Sequence, residues 1–230
     1  MRYYETSHTF RYNWEQVSKA FWCRYPNPFS SHVLTEDVVQ RKVDESGKLL
    51  TKRLISKTNS APKWTERFLS SKLVFIIEES ILDPKCKTLT TYTRNIGLKH
   101  LMTLEEKVTY KSSDDDKEWT VAERKAWIDS NVFGLSAAVQ RFGLERFKKN
   151  VSKTCQGFNF VLNTLYGNLN ADQLVPTFDN RLNQIHPLLK EKLKEKALKA
   201  HEFAAVAKSK AVPIVAAVNE MANNGNRQES

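Results

Sequence analysis

Residues 134–165 read GLSAAVQRFGLERFKKNVSKTCQGFNFVLNTL, a long helical pattern in which Val139, Phe142, Arg146, Asn150, Lys153, Gly157 and Val161 recur at steps of three and four. A helix of that length spans about 45 Å, so it must lie across whatever the rest of the chain builds. Its stripe passes from apolar to polar and back to apolar, which core stripes do not normally do. Arg146 and Lys153 buried without partners would be very unfavourable, so they need either solvent or an anion between the helix and its support. Two readings stand side by side. In one, the middle turn bulges into water while Phe147 and Val151 carry the packing. In the other, a basic, hydrogen-bonding patch interrupts an apolar gap, as a site for an anionic head group requires.

The chain before this helix alternates like strands. Residues 2–12 are rich in Tyr, Thr and Phe and read as a first strand. Asn13 with Gln16 three residues on is a capping-box signature, and Trp14, Val17 and Phe21 follow at helical spacing, so a short helix comes next. Three hairpins are then expected: 33–43 with 48–57 around Asp44-Glu45-Ser46-Gly47, 73–82 with 88–95 around Asp83-Pro84-Lys85-Cys86, and 101–110 with 119–128 around Ser112 to Asp116. Consecutive strands joined by short turns pair antiparallel in a meander. The expected class is α+β, a curved antiparallel sheet that grips the long C-terminal helix on one face. On the strand 48–57, Arg53 and Lys57 share a face with Ile55 between them. Alternation leaves open which face points inward, because Leu49 and Ile55 compete with Leu50 and Leu54, and a solvated basic face is the commoner outcome for such pairs.

The 230 residues allow one generous domain or a domain with an appendage, and their composition is that of a globular chain with a net charge of +10. Up to Gly167 there are 27 Lys+Arg against 19 Asp+Glu, and beyond it 9 against 7, so the basicity sits mainly in the first part. It points to an anionic partner: a phospholipid surface, a lipid head group or nucleic acid. Cys23, Cys86 and Cys155 are odd in number and far apart, which signals neither a disulfide framework nor a zinc site. No apolar run approaches the roughly 20 residues of a spanning helix, and Met1-Arg2-Tyr3-Tyr4-Glu5 has neither a signal core nor an amphipathic presequence. Organelle entry is therefore expected to depend on something other than a cleaved leader.

The short helix stops at Phe21-Trp22-Cys23-Arg24-Tyr25-Pro26-Asn27-Pro28-Phe29, followed by Ser31-His32-Val33-Leu34-Thr35-Glu36-Asp37. Two prolines stiffen this turn, and Arg24 stands at its entrance. On local chemistry Arg24 is either a helix-terminus cap or a planar fork for an anion such as phosphate. The stretch, together with Leu54 to Asn59, Thr91 to Asn95, Phe133-Gly134 and Phe142 to Phe147, resembles the PRELI domain family, mitochondrial intermembrane-space carriers of phospholipid, over about residues 1–166.

That resemblance implies a START-like helix-grip fold with a lipid cavity between sheet and helix. It implies that Arg24, His32, Arg53 and Lys57, joined by Arg146, Asn150 and Lys153, lie toward the phosphate end of the cavity and share one phosphate without a metal. His32 reads alternatively as a hydrogen-bonded turn histidine. The resemblance lies nearer the branch that carries phosphatidic acid than the phosphatidylserine branch. It implies movement of phosphatidic acid from the outer to the inner mitochondrial membrane for cardiolipin synthesis, and a small helical twin cysteine-x9-cysteine partner that retains the domain in the intermembrane space. Residues 58–69 separate two strands and place an aromatic among bases, and Pro62, Lys63, Trp64 and Phe68 look like the family's Ω-loop lid touching an anionic bilayer. The alternative is a loop folded back onto the body.

Enzyme signatures are not expected. Gly134-Leu135-Ser136 lacks the second glycine of a nucleophile elbow, His201-Glu202 lacks the second histidine of a zincin, and there is no Gly-rich phosphate loop. Glu78-Glu79 and Glu105-Glu106 are adjacent pairs whose side chains point to opposite faces of a strand. No catalytic residue, metal or cofactor is expected, nor nucleic acid, since no RNP-like run is present. A lipid-bound regulatory scaffold without transfer activity stays open. Residues 1–167 are read as the lipid-transfer domain, 168–187 as a linker, and 188–230 as a helical, partly disordered tail whose helix ends or kinks at Pro213.

Overall fold

The computed structural model describes residues 1–58 and 73–167. The chain runs β1 (Arg2–Phe10), α1 (Trp14–Ala20), a 3-10 turn (Phe21–Cys23), β2 (Val33–Val43), β3 (Leu49–Thr58), β4 (Leu73–Asp83), β5 (Thr88–Asn95), β6 (Thr103–Ser112), β7 (Thr120–Asp129) and α2 (Ser136–Tyr166). All seven strands form one antiparallel sheet in the order β1-β7-β6-β5-β4-β3-β2. The curved meander packs on the long helix, a START-like helix-grip architecture.

Local chemistry accounts for the elements. Asn13 Oδ1 accepts from the Gln16 amide at 3.0 Å and Gln16 Oε1 accepts from the Asn13 amide at 3.1 Å, so the capping box forms and α1 starts where its side chains dictate. α1 then separates β1 from β2, and β1 pairs with β7 instead, Arg2 opposite Ile128 and Phe10 opposite Thr120. Asp44 Oδ1 accepts from the Ser46 and Lys48 amides, and Gly47 takes a φ of +82°, closing the first hairpin. Asp83 Oδ1 does the same for the Lys85 and Cys86 amides. The Tyr25–Pro26 peptide is cis.

One departure from the sequence reading lies at the start of β6, which begins at Thr103 rather than Leu101. Asn95 holds the preceding residues in a loop, donating to the Gly97 and Met102 carbonyls and accepting from the Leu104 amide. The contest on β3 is also decided. Leu49, Thr51, Arg53 and Ile55 point inward, whereas Leu50 and Leu54 are half-exposed.

The main core sits toward the hairpin-turn end. Trp14, Val17 and Phe21 from the α1 region meet Leu49, Leu82, Leu89 and Tyr110 of the sheet and Phe158, Val161 and Leu162 of α2. A smaller cluster joins Ala126 and Ile128 of β7 to Phe147, with Tyr4, Met102, Leu144 and Val151 against it. Cys23, Cys86 and Cys155 form no disulfide with one another, and the first and last are buried.

Candidate functional site

Between these clusters, α2 and the inner face of the sheet enclose a cavity of about 250 Å³. Leu98, Leu101, Met102, Leu104, Val139 and Phe142 form its apolar part. Its polar part brings together five of the seven positions read from the sequence: Arg24, His32, Lys57, Arg146 and Asn150. Arg53 and Lys153 are not on its wall. Arg53 is 1% exposed and lies behind Glu78, while Lys153 is exposed on α2. The α2 stripe divides: Phe147 and Val151 pack against the sheet, Arg146 and Asn150 line the cavity, and of the stripe's polar residues Lys153 is the one turned out to water.

Arg24 is bound before any ligand arrives. Its guanidinium pairs with Glu78 Oε2, donates from Nη1 to the Phe21 carbonyl at 3.4 Å, and stacks 3.9 Å from the Phe21 ring centroid. Arg53 approaches the same carboxylate from the other side: its Nε donates to Glu78 Oε1 at 3.0 Å, its Nη2 pairs with that oxygen, and its Nη1 donates to Glu36 Oε2 at 2.8 Å. Phe21 and Trp22 lie under Arg53 at 4.8 and 5.2 Å. The aromatic pair ahead of Arg24 is therefore a floor for two guanidiniums. Burial pushes the Glu78 carboxyl up, but Arg24 and Arg53 outweigh it and hold it below its ordinary 4.5.

Asn27 fixes the turn that carries Arg24, donating to the Arg24 carbonyl at 2.6 Å and accepting from the Phe29 amide at 3.0 Å. The His32 carbonyl accepts from the Thr58 amide at 2.9 Å, which ties this turn to the end of β3 beside Lys57. Burial, then Lys57, Lys153 and Arg146, push the His32 imidazole below its ordinary 6.5. Lys57 is lowered by burial and by Arg146 against the pull of Glu106, and Arg146 is lowered by burial. Suppressed charging of this kind is what an anion would relieve.

Three charged groups on the wall were not singled out as binding residues from the sequence. Glu78 and Glu106 point inward while Glu79 pairs with Lys52 outside and Glu105 is exposed. The opposite-face rule for adjacent glutamates thus held, and its further consequence, one acid of each pair inside, was there to be drawn. Arg124 of β7 sits with Nε 2.6 Å from Glu106 Oε1 and reaches Cys155 Sγ at 3.8 Å; isolated in the Glu123-Arg124-Lys125 run, it gave no signal. The wall thus carries four cations, Arg24, Lys57, Arg124 and Arg146, against two carboxylates, Glu78 and Glu106. With Arg53 and Glu36 cancelling behind it, a surplus of two positive charges remains. Among the described residues no group of three or more His, Cys, Asp or Glu is placed to hold a metal, and no helix is long and apolar enough to cross a membrane. Pro62, Lys63, Trp64 and Phe68, like the tail 168–230, lie outside the described residues.

Comparison with known proteins fits this frame. Residues 15–168 match the PRELI-like family. The chain belongs to that family. PRELI domain-containing protein 1, mitochondrial, of Gallus gallus is 49% identical over 167 residues, covering 71% of this chain and 78% of that protein. Protein UPS1, mitochondrial, of Saccharomyces cerevisiae is 36% identical over 164 residues, covering 70% of this chain and 93% of that protein. Among solved structures, TTHA0849 from Thermus thermophilus superposes with a TM-score of 0.51 at 11% identity, over 72% of this chain and 99% of that one, a likeness of fold alone. The PRELI resemblance read from Arg24 to Phe29 and its companion motifs is borne out. Like these PRELI and UPS1 relatives, the chain is mitochondrial.

Proposed function

We propose that this PRELI-family chain is a lipid-transfer protein that carries phosphatidic acid across the intermembrane space, from the outer to the inner mitochondrial membrane, for cardiolipin synthesis. Family membership supports lipid transfer between membranes; the charge of the cavity wall supports the choice of cargo. A phosphate monoester carries about −1.5 to −2 charges near neutral pH, which matches the surplus of two positive charges, whereas a diester leaves one uncompensated. In this reading Arg24, His32, Lys57, Arg146 and Asn150 bind the phosphate, with Arg53 steering Arg24 through Glu78 and Lys153 adding charge from outside. Phosphatidylserine is the second reading, because Glu106 on the wall suits a serine ammonium. Glu106 is already held by Arg124 at 2.6 Å, which favours the monoester.

The cavity, at about 250 Å³, falls below the ~300–1,000 Å³ usual for small-molecule sites. Two long acyl chains exceed it, so they leave past Leu98 and Met102 or require α2 to lift from the sheet. In this reading the protein acts as a carrier rather than an enzyme, which its membership of the PRELI-like family supports. Pro62, Lys63, Trp64 and Phe68 belong in this scheme as the lid and first membrane contact, and a small helical twin cysteine-x9-cysteine chaperone as the retaining partner. Organic extraction of protein purified from mitochondria, followed by mass spectrometry, tests the cargo. Phosphatidic acid should dominate the extract; phosphatidylserine in its place, RNA, or no ligand would contradict the proposal.

A further inference from the structure

The strand register sorts the connections to two ends of the sheet. Arg2 opposite Ile128, Thr103 opposite Asp129, Ile76 opposite Asn95 and Leu73 opposite Thr58 bring the starts of β1, β4 and β6 beside the ends of β3, β5 and β7. The hairpin turns at 44–48, 84–87 and 113–119 close the other end. At the first end, the loop 96–102 and the segment 130–135 are tied together by Ser130 Oγ, which donates to the Leu101 carbonyl at 2.6 Å. That loop supplies Leu98, Leu101 and Met102 to the apolar part of the cavity, so the cavity reaches this end.

Among the described residues, the outer side of the same pair of loops is apolar and exposed. Phe133 is 101% exposed, Leu135 45% and Ile96 40%. Gly134, at a φ of +71° with open space where a Cβ would stand, turns the chain so that Phe133 projects from the body. Exposed bases lie around them: Arg2 at the start of β1, Lys99 in the loop and Arg141 in α2. The neighbouring acid, Asp129, is taken up by the Met1 ammonium at 3.1 Å and by Gln140 Nε2 at 3.1 Å. The opposite end carries no such apolar tips: its turns expose charges of both signs, Glu45, Asp114, Asp115 and Glu118 with Lys85, Lys87 and Lys117. Apolar tips backed by bases at one pole, against polar turns of mixed charge at the other, are a polarity along the strand direction.

We propose that the Ile96 and Phe133 loops form a membrane-docking face, on which the protein stands end-on upon an anionic bilayer with Phe133 as its anchor and the hairpin turns held away from the surface. The proposal rests on the carrier reading for its purpose, since it sets the apolar end of the cavity against the lipid that must enter it. Its residues are other than those of the lid expected at Pro62 to Phe68. The occupant follows from the complementarity: three apolar tips enter the acyl boundary while the surrounding bases meet anionic head groups.

The test places an environment-sensitive fluorophore at either pole of the full chain. One sample carries it on native Cys86, which is exposed on the far turn; the other carries it on Phe133→Cys in a Cys86→Ser background. With phosphatidylcholine vesicles containing phosphatidylglycerol, the label at position 133 should shift to the blue and the label at Cys86 should not. Phe133→Asp should bind these vesicles about tenfold more weakly, the loss of one buried aromatic anchor, with an unchanged melting temperature and unchanged binding of water-soluble short-chain phosphatidic acid. An unmoved label at 133, equal shifts at both positions, or full vesicle binding by Phe133→Asp would overturn the docking face. If the wild-type chain binds no short-chain phosphatidic acid yet the label at 133 still shifts, the docking face stands and the cargo assignment falls instead.

Discussion

Glu78 is the residue on which the polar half of the cavity turns. Arg24 and Arg53 both hold it, so under the proposed function a phosphate would compete with this carboxylate for the donors of Arg24, with Arg53 holding Glu78 from behind. This arrangement lets the empty protein fold without burying uncompensated cations, and it keeps release of the ligand possible. Glu78→Gln should therefore lower stability by about 3 kcal/mol, yet gain more in melting temperature than wild type when short-chain phosphatidic acid is added. A variant stabilised no more than wild type by ligand would separate Glu78 from the binding site. Arg24→Glu is a poor probe of the site, because it would bury a second carboxylate beside Glu78 and damage the fold along with the site. The histidines give a second prediction at this scale. Burial, with Arg124, lowers His8, and burial, with Lys57, Lys153 and Arg146, lowers His32, both from an ordinary 6.5. Below that value the unfolded chain binds more protons than the folded one, so stability present above about pH 6.5 is lost as pH falls through it. Thermal melts of the ligand-free protein should decline between about pH 7 and 5, before carboxylates titrate, and the His8→Gln/His32→Gln variant should lack that step.

Among the elements, α2 makes the sharpest demand on side-chain size. A Cβ on Gly157 would stand 2.8 Å from Asn27 Cγ, and Asn27 cannot step aside because it is pinned to the Arg24 carbonyl and the Phe29 amide. A Cβ on Gly143 instead meets the end of Met102, a flexible side chain that can swing, with Ile128 Cγ2 at 3.1 Å. Gly157→Ala should cost about 1–3 kcal/mol in chemical denaturation and weaken lipid binding through the Arg24 turn. Gly143→Ala should fall within about 1 kcal/mol of wild type, because helix propensity offsets the contact. Reversal of that order would mean that α2 is not seated on the proline turn. The elements were largely legible because turn chemistry and period are local: Asp44 to Gly47, Asp83 to Cys86 and the Asn13 box each act within a few residues. What stayed hidden is non-local. The pairing of β1 with β7 needs the whole meander, the loop before β6 depends on Asn95 bonding across to Met102 and Leu104, and the inward face of β3 was a tie until Glu78 gave Arg53 a buried partner. The same holds for the site, where the α2 stripe announced Arg146 and Asn150 and the adjacent glutamates implied one acid of each pair inside, but nothing local announced Arg124 or chose Glu106 over Glu105.

The whole molecule is a helix-grip vessel closed at its hairpin-turn end by the aromatic and aliphatic core of Phe10, Trp14, Phe21, Tyr110 and Phe158, and hollow toward the end that carries the β5–β6 loop. Its positive surplus lies inside the hollow, where a low dielectric strengthens the attraction for a phosphate and punishes a neutral or singly charged substitute. Selectivity for the monoester is therefore the central claim, and vesicle-to-vesicle transfer of fluorescent lipid tests it most directly. With donor and acceptor vesicles matched in surface charge, the protein should move labelled phosphatidic acid faster than labelled phosphatidylserine and much faster than phosphatidylcholine, with no release of free phosphate. Equal rates for phosphatidic acid and phosphatidylcholine, or liberation of phosphate during transfer, would contradict it.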